Sequence, residues 1–161
     1  MVPCFTLFVN NQSSVSFSHY RFDDLSIVDL YGILKIRSLV FNHQQRLIDI
    51  SDGKCVEIDG KDVFCTHIVG KLQDNQIVAT ARLFDHQSPL KLGRFAVDPD
   101  FQKHGFGSQL LDYLDSIIYL KPIEMDAQSY LIDWYSKFGW SVSGSEFIEC
   151  GIKHVRMIKN L

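Results

Sequence analysis

The residue types best placed to do chemistry lie between Arg94 and Leu111, in Arg94-Phe95-Ala96-Val97-Asp98-Pro99-Asp100-Phe101-Gln102-Lys103-His104-Gly105-Phe106-Gly107-Ser108-Gln109-Leu110-Leu111. An apolar strand runs into a turn, and two glycines then open an amphipathic helix. Helix N-termini expose backbone N–H groups without partners and carry about half a positive charge from the macrodipole. Glycine removes the Cβ that would keep an anion off that backbone. Such a turn holds a diphosphate mainly through peptide nitrogens, with Lys103 assisting. No Gly-Lys-Ser/Thr follows, so it is not a Walker A loop. Two glycines also fall short of the dinucleotide fingerprint. On spacing alone, glycines that open a helix serve packing equally well.

Other reactive side chains form no local constellation. Cys4, Cys55, Cys65 and Cys150 make no Cys-x-x-Cys unit and match no zinc template. They read as buried or incidental thiols, because a chain this long builds its own core without disulfides. His19, His43, His67, His86, His104 and His154 include no His-x-x-x-His pair, so no metal is expected. Sixteen Lys and Arg against nineteen Asp and Glu leave a net charge of −3, with no basic surplus for nucleic acid. Apolar runs end well before the roughly 18 residues a membrane helix needs. Met1 to Val9 lacks Lys, Arg and a following small-residue cleavage site, so no signal peptide is expected. These features predict a soluble, cytoplasmic protein. At 161 residues the chain suits one domain, 15–161, preceded by residues 1–14 as an extension or edge strand.

The elements that must position the turn follow from periodicity. Val15–Arg21 alternates as a strand, and Asp24 or Ser26 caps a helix to about His43. Gln44 to Asp62 has no sustained period and reads as a long functional or mobile loop. Phe64–Leu72, Ile77–Phe84 and Lys91–Val97 read as strands, with a tight turn at Asp74-Asn75. After Gly107, Leu110, Leu111, Leu114, Ile117 and Ile118 share a helix face. Pro122–Met125 is a short strand and Gln128–Phe138 a helix stopped by Gly139. Trp140–Val142 and Phe147–Ile158 finish as strands. This order predicts an α/β (α+β) domain, one mixed sheet covered by helices.

The string Gln102-Lys103-His104-Gly105-Phe106-Gly107, after a strand and an acidic-Pro turn, resembles the Gln/Arg-x-x-Gly-x-Gly/Ala motif of the GNAT acyl-CoA N-acyltransferases. Ala127-Gln128-Ser129-Tyr130-Leu131-Ile132-Asp133-Trp134-Tyr135-Ser136-Lys137-Phe138-Gly139-Trp140 is similar to that superfamily's second signature, a Tyr four residues before Gly and an aromatic. The ElaA-like branch is resembled in Leu30-Tyr31, Leu34, Arg37, Val40-Phe41 and Gln45, in Glu57–Asp62 before His67, in Ala79–Leu83, and in Gly151–Met157. The resemblance covers about residues 15–158.

That resemblance implies a mostly antiparallel mixed sheet with a central splay between two strands, filled by acyl-CoA. It assigns the splaying arms to Lys91–Val97 and Pro122–Met125. It implies that backbone groups of Phe95, Ala96 and Val97 pair with the pantetheine amides. Gln102 opens the motif, and the amides of Lys103, His104, Gly105, Phe106, Gly107 and Ser108 ring the diphosphate. Gln128 stands near the pantetheine, where the superfamily often has Asn, and Tyr135 sits by the sulfur as hydrogen-bond or proton donor. Glu57, Asp59, Asp62 and His67 are the candidates for deprotonating the acceptor. Gln44 departs from the branch, whose members usually carry Glu there. Five acids (Asp49, Asp52, Glu57, Asp59, Asp62) against two lysines (Lys54, Lys61) make this segment net acidic, which favours cationic amines if it rims the acceptor mouth. The implied reaction is transfer of acetyl from acetyl-CoA, without metal or acyl-enzyme, to a small-molecule or peptide amine. A homodimer is compatible with the resemblance. A non-catalytic acyl-CoA-binding module, its acceptor side degenerate, is the alternative that Gln44 motivates.

Overall fold

A computed structural model describes residues 14–45, 56–119 and 121–160. Eight strands form one sheet: β1 (Ser16–Arg21), β2 (Thr66–Lys71), β3 (Ile77–Phe84), β4 (Leu90–Val97), β5 (Ile123–Gln128), β6 (Ser141–Val142), β7 (Phe147–Glu149) and β8 (Ile152–Lys159). Their order is β1-β2-β3-β4-β5-β8-β6, with β7 also paired to β8. Among the described residues only β4 and β5 run parallel; the other strand pairs are antiparallel. The helices are α1 (Ile27–Arg37), α2 (Phe106–Ile117) and the short α3 (Ile132–Ser136).

Both faces of the sheet are covered, and β2 shows how. Ile68 packs with Leu110, Leu111 and Leu114 of α2, whereas its neighbour Val69 packs with Ile33 and Ile36 of α1. Successive strand side chains point to opposite faces, so one strand serves two cores. Accordingly β3 is buried from Ile77 to Leu83, the pattern of a strand with no solvated face.

Local chemistry sets the ends. Ser26 is the N-cap of α1, its hydroxyl accepting the Asp29 N–H at 3.0 Å. The helix does not continue as α to His43: from Ser38 to Gln44 it widens into a π-turn, closed by Gln45 N–H on Val40 O at 2.9 Å. Gly139 ends the segment after α3 with φ +82.

Three further expectations need correction. The helix foreseen over Gln128–Phe138 is split: β5 runs on to Gln128, residues Ser129–Leu131 form a 3₁₀ turn, and α3 has five residues. Alternation of Ile123, Met125 and Ala127 into the core extends the strand. The strand foreseen over Phe147–Ile158 is a hairpin, because Cys150 and Gly151 both take positive φ (49 and 75) and turn the chain. Cys150 is disulfide-bonded, against the expectation of thiols, while Cys65 is a buried free thiol. The expectation for residues 1–14 falls almost wholly outside the described residues, as does most of the long loop before Val56. Among the described residues no helix is long and apolar enough to cross a membrane.

Candidate active site

The site begins where the sheet opens. β4 and β5 pair at Leu90↔Ile123, Lys91↔Glu124 and Leu92↔Met125, and no farther. Beyond Leu92, β4 continues to Val97 and β5 to Gln128 without pairing each other, which forms a V. An extra residue in β4 causes the divergence: its register against β3 shifts between Thr80↔Ala96 and Arg82↔Gly93, and Arg94 takes φ +51. A bulge of this kind bends the strand and strengthens its twist. The β5-facing backbone edge at Phe95–Val97 is thereby left without a strand neighbour.

A cleft of about 1480 Å³ occupies the V, larger than a site for a drug-sized ligand at roughly 300–1,000 Å³. One end is the turn into α2. Lys103 and Gly105 take positive φ (66 and 82), and the first helical bond runs from Gln109 N–H to Gly105 O at 3.1 Å. The amides of Phe106, Gly107 and Ser108 therefore have no carbonyl partner within the helix. Of the residues foreseen around the ligand, Phe95, Ala96, Val97, Gln102, Lys103, Gly105, Phe106, Gly107, Ser108 and Gln128 all line the cleft. His104 does not; its Nδ1 turns back to Gln102 O at 2.9 Å.

The cleft wall also holds Tyr135, 5% exposed and packed edge-on to Trp134 and Phe95. Burial pushes its phenol well above the ordinary value, with the Tyr130 phenol adding to the shift. Above the cleft, the π-turn reaches down to both arms. The Gln44 and Gln102 side chains exchange two amide hydrogen bonds, at 3.1 and 3.0 Å. Gln45 and Gln128 do the same at 3.4 and 3.0 Å. Gln44, the departure from the acid expected there, thus acts as one half of a brace.

The acids of residues 57–62 are not free to attract cations. Glu57 meets Arg37 through Oε1 and Arg94 through Oε2. Asp62 receives Arg37 Nη1 at 2.7 Å and Arg82 Nη1 at 3.2 Å, and Asp59 receives Arg82 at 2.8 and 2.9 Å. Three carboxylates against three guanidiniums form a neutral cluster, which removes the described part of the acidic excess. Burial raises the Glu57 carboxyl above its usual range despite Arg94 and Arg37. Burial also works against ionised Asp59 and Asp62, but hydrogen bonds and charge from Arg82 and Arg37 outweigh it and hold both carboxyls low.

His67 lies off the cleft wall. It is 1% exposed, its Nε2–H donates to Asp62 O at 2.9 Å, and its Nδ1 has no partner. Burial, with Arg37 and Arg82 nearby, lowers its proton affinity below the ordinary histidine value although Asp62 pulls the other way. The unfolded chain therefore takes up a proton near pH about 6.5 that the folded chain refuses. Stability present above that pH is lost as pH falls through the lowered value. Glutamine keeps the donor to Asp62 O but cannot titrate. His67→Gln should flatten the fall in melting temperature below about pH 6.5, leaving the later fall that accompanies carboxylate protonation; equal slopes in both proteins would exclude this origin.

Sequence reading missed the Gln44–Gln102 brace and the cleft-lining His154, whose place depends on strand register. Residues 65–161 match the family model described as an acetyltransferase (GNAT) domain. The chain is 31% identical to a UPF0039 protein of Schizosaccharomyces pombe over 153 residues, covering 90% of this chain and 97% of that one. It is similar in structure to Escherichia coli ElaA (TM-score 0.77, 27% identity, 91% and 100% coverage). It is equally similar to a Pseudomonas aeruginosa protein described as an acyl-CoA N-acyltransferase (TM-score 0.77, 25% identity, 89% and 99% coverage).

Proposed function

The chain belongs to the GNAT acetyltransferase family, and from that premise we propose that it transfers acetyl from acetyl-CoA to a primary amine by direct attack in a ternary complex. The observation that carries this reading is the cleft: one opening joins the unpartnered amides at the start of α2, the open edge of β4, and a buried phenol. A nucleotide thioester has the matching parts, an anionic diphosphate, an arm bearing amides and a reactive sulfur.

Phe106, Gly107 and Ser108 donate to the diphosphate, Lys103 supplies positive charge, and Phe95–Val97 receive the pantetheine amides as a strand would. The thioester is already activated, so the amine attacks its carbonyl without an enzyme-bound acyl group. Tyr135 meets the departing sulfur. A phenol raised this far holds its proton more tightly than a thiol near pKa about 8.5. Its role is then to stabilise the developing thiolate by a hydrogen bond rather than to surrender the proton. The acceptor is a small-molecule or peptide amine. Because Glu57, Asp59 and Asp62 are neutralised by arginines, the described wall gives no preference for polycations.

Tyr135→Phe removes one hydroxyl from an otherwise filled aromatic site. Loss of one transition-state donor costs about 10²–10³-fold in kcat, with CoA affinity retained. CoA-release assays beside calorimetric CoA titration test this; equal turnover in both proteins rejects the role of Tyr135.

A further inference from the structure

We propose that His154, which no motif singled out as chemical, accepts the proton of the attacking amine. The inference rests on the acyl-transfer reading above and names the group that reading leaves open. His154 lines the cleft and is 8% exposed. In β8 it stands directly opposite Gln128 of β5, so the two side chains share a sheet face about 5 Å apart at Cβ. Gln128 is itself fixed, by Gln45 and by the Tyr130 hydroxyl at 2.6 Å. His154 therefore sits beside the end of β5, on the cleft wall next to the Gln45–Gln128 pair.

Its orientation settles which nitrogen works. Nδ1 lies 2.9 Å from Ile152 O. A carbonyl only accepts, so Nδ1 carries a hydrogen, and in the neutral ring Nε2 is the nitrogen with the lone pair. The ring also stacks on Phe147, with centroids 6.0 Å apart and planes at 25°. A base oriented by a backbone carbonyl and an aromatic plane is the arrangement general-base catalysis uses. Three carboxylates on the wall are engaged, Glu57 by Arg37 and Arg94, Asp59 by Arg82, Asp126 by Lys91 and Arg156, while Glu149 and His86, which also line it, are exposed to solvent. The other buried histidine, His67, does not reach the cleft.

In the step itself the amine lone pair forms the C–N bond and the thioester π pair moves to oxygen. When that adduct collapses, the C–S bond breaks and its electron pair leaves on sulfur, beside the Tyr135 hydroxyl. The N–H proton passes to His154 Nε2 and then, through solvent, to the thiolate. One proton moves from nitrogen to sulfur overall, giving amide and CoA.

The test uses the full chain with acetyl-CoA and three probe amines, spermidine, tryptamine and an α-blocked lysine. Asparagine at 154 keeps a donor for Ile152 O and removes the base. His154→Asn should keep its CoA affinity and melting temperature while kcat falls about 10²-fold or more. In His154→Ala, added imidazole should restore part of the rate. Wild-type turnover matched by His154→Asn, or a slow His154→Ala that imidazole leaves unimproved, overturns the assignment and spares the acyl-transfer reading. Wild-type protein that binds CoA yet acylates none of the probes counts against that reading and this role together.

Discussion

Arg37→Met is expected to lower the free energy of unfolding by about 3–5 kcal/mol, the cost of deleting one partner from a buried ion pair. Arg37 is 1% exposed, and its guanidinium is divided between the Glu57 carboxylate, Glu57 O at 3.0 Å and both oxygens of Asp62 at 2.7 and 3.3 Å. Methionine fills similar space and leaves two carboxylates facing each other with less compensation. Lysine keeps the charge but loses the fork that meets Asp62 and Glu57 together, so Arg37→Lys should fall between wild type and Arg37→Met. Urea titration measures both: the midpoint should move with the slope unchanged. A loss near that of an exposed pair, under about 1 kcal/mol, would mean that the cluster is far better hydrated than its burial implies.

Gly107→Glu is expected to abolish CoA binding while leaving the fold intact. A Cβ at Gly107 meets the Trp134 ring at 3.5 Å and the Phe95 ring at 3.7 Å, ordinary contacts. A carboxylate in the first turn of α2 also favours the helix itself, by about 0.3–1 kcal/mol through the macrodipole. The same charge occupies the proposed anion site and would repel a diphosphate there. The variant should therefore melt at or above the wild-type temperature and show no further rise with CoA. Gly107→Ala, which adds only the Cβ, should retain a reduced rise. A full CoA-induced rise in Gly107→Glu would place the diphosphate elsewhere.

What the chain disclosed in advance depended on distance along it. Gly105 and Gly107 next to Leu110, Leu111 and Leu114 form a local signal, and the turn and helix stand where that signal puts them. The three strands before them are also local in cause, since Asp74-Asn75 builds its own turn, with Asn75 at φ +67. The arginine cluster was not legible, because Arg37 meets Asp62 25 positions away and Arg82 meets Asp59 23 positions away. Nothing in either segment specifies the partner; only the packing of α1 across β3 and β4 brings them together. His154 was obscured by the same limit. Its sequence neighbours describe a strand, and its address in the cleft comes from facing Gln128 across the β5–β8 ladder. The Cys150-Gly151 hairpin is a different failure: the turn is local, but its first residue is not one of the usual punctuation residues.

The reciprocal amide pairs joining Gln44 to Gln102 and Gln45 to Gln128 are uncharged at every accessible pH. They clasp the two arms of the V without offering anything for counterions to mask. Ionic strength then leaves the width of the opening alone and acts on the proposed thioester cargo, whose phosphates dissolved salt does screen. Titrating affinity against added chloride becomes a direct reading of how much of the grip on that cargo is electrostatic.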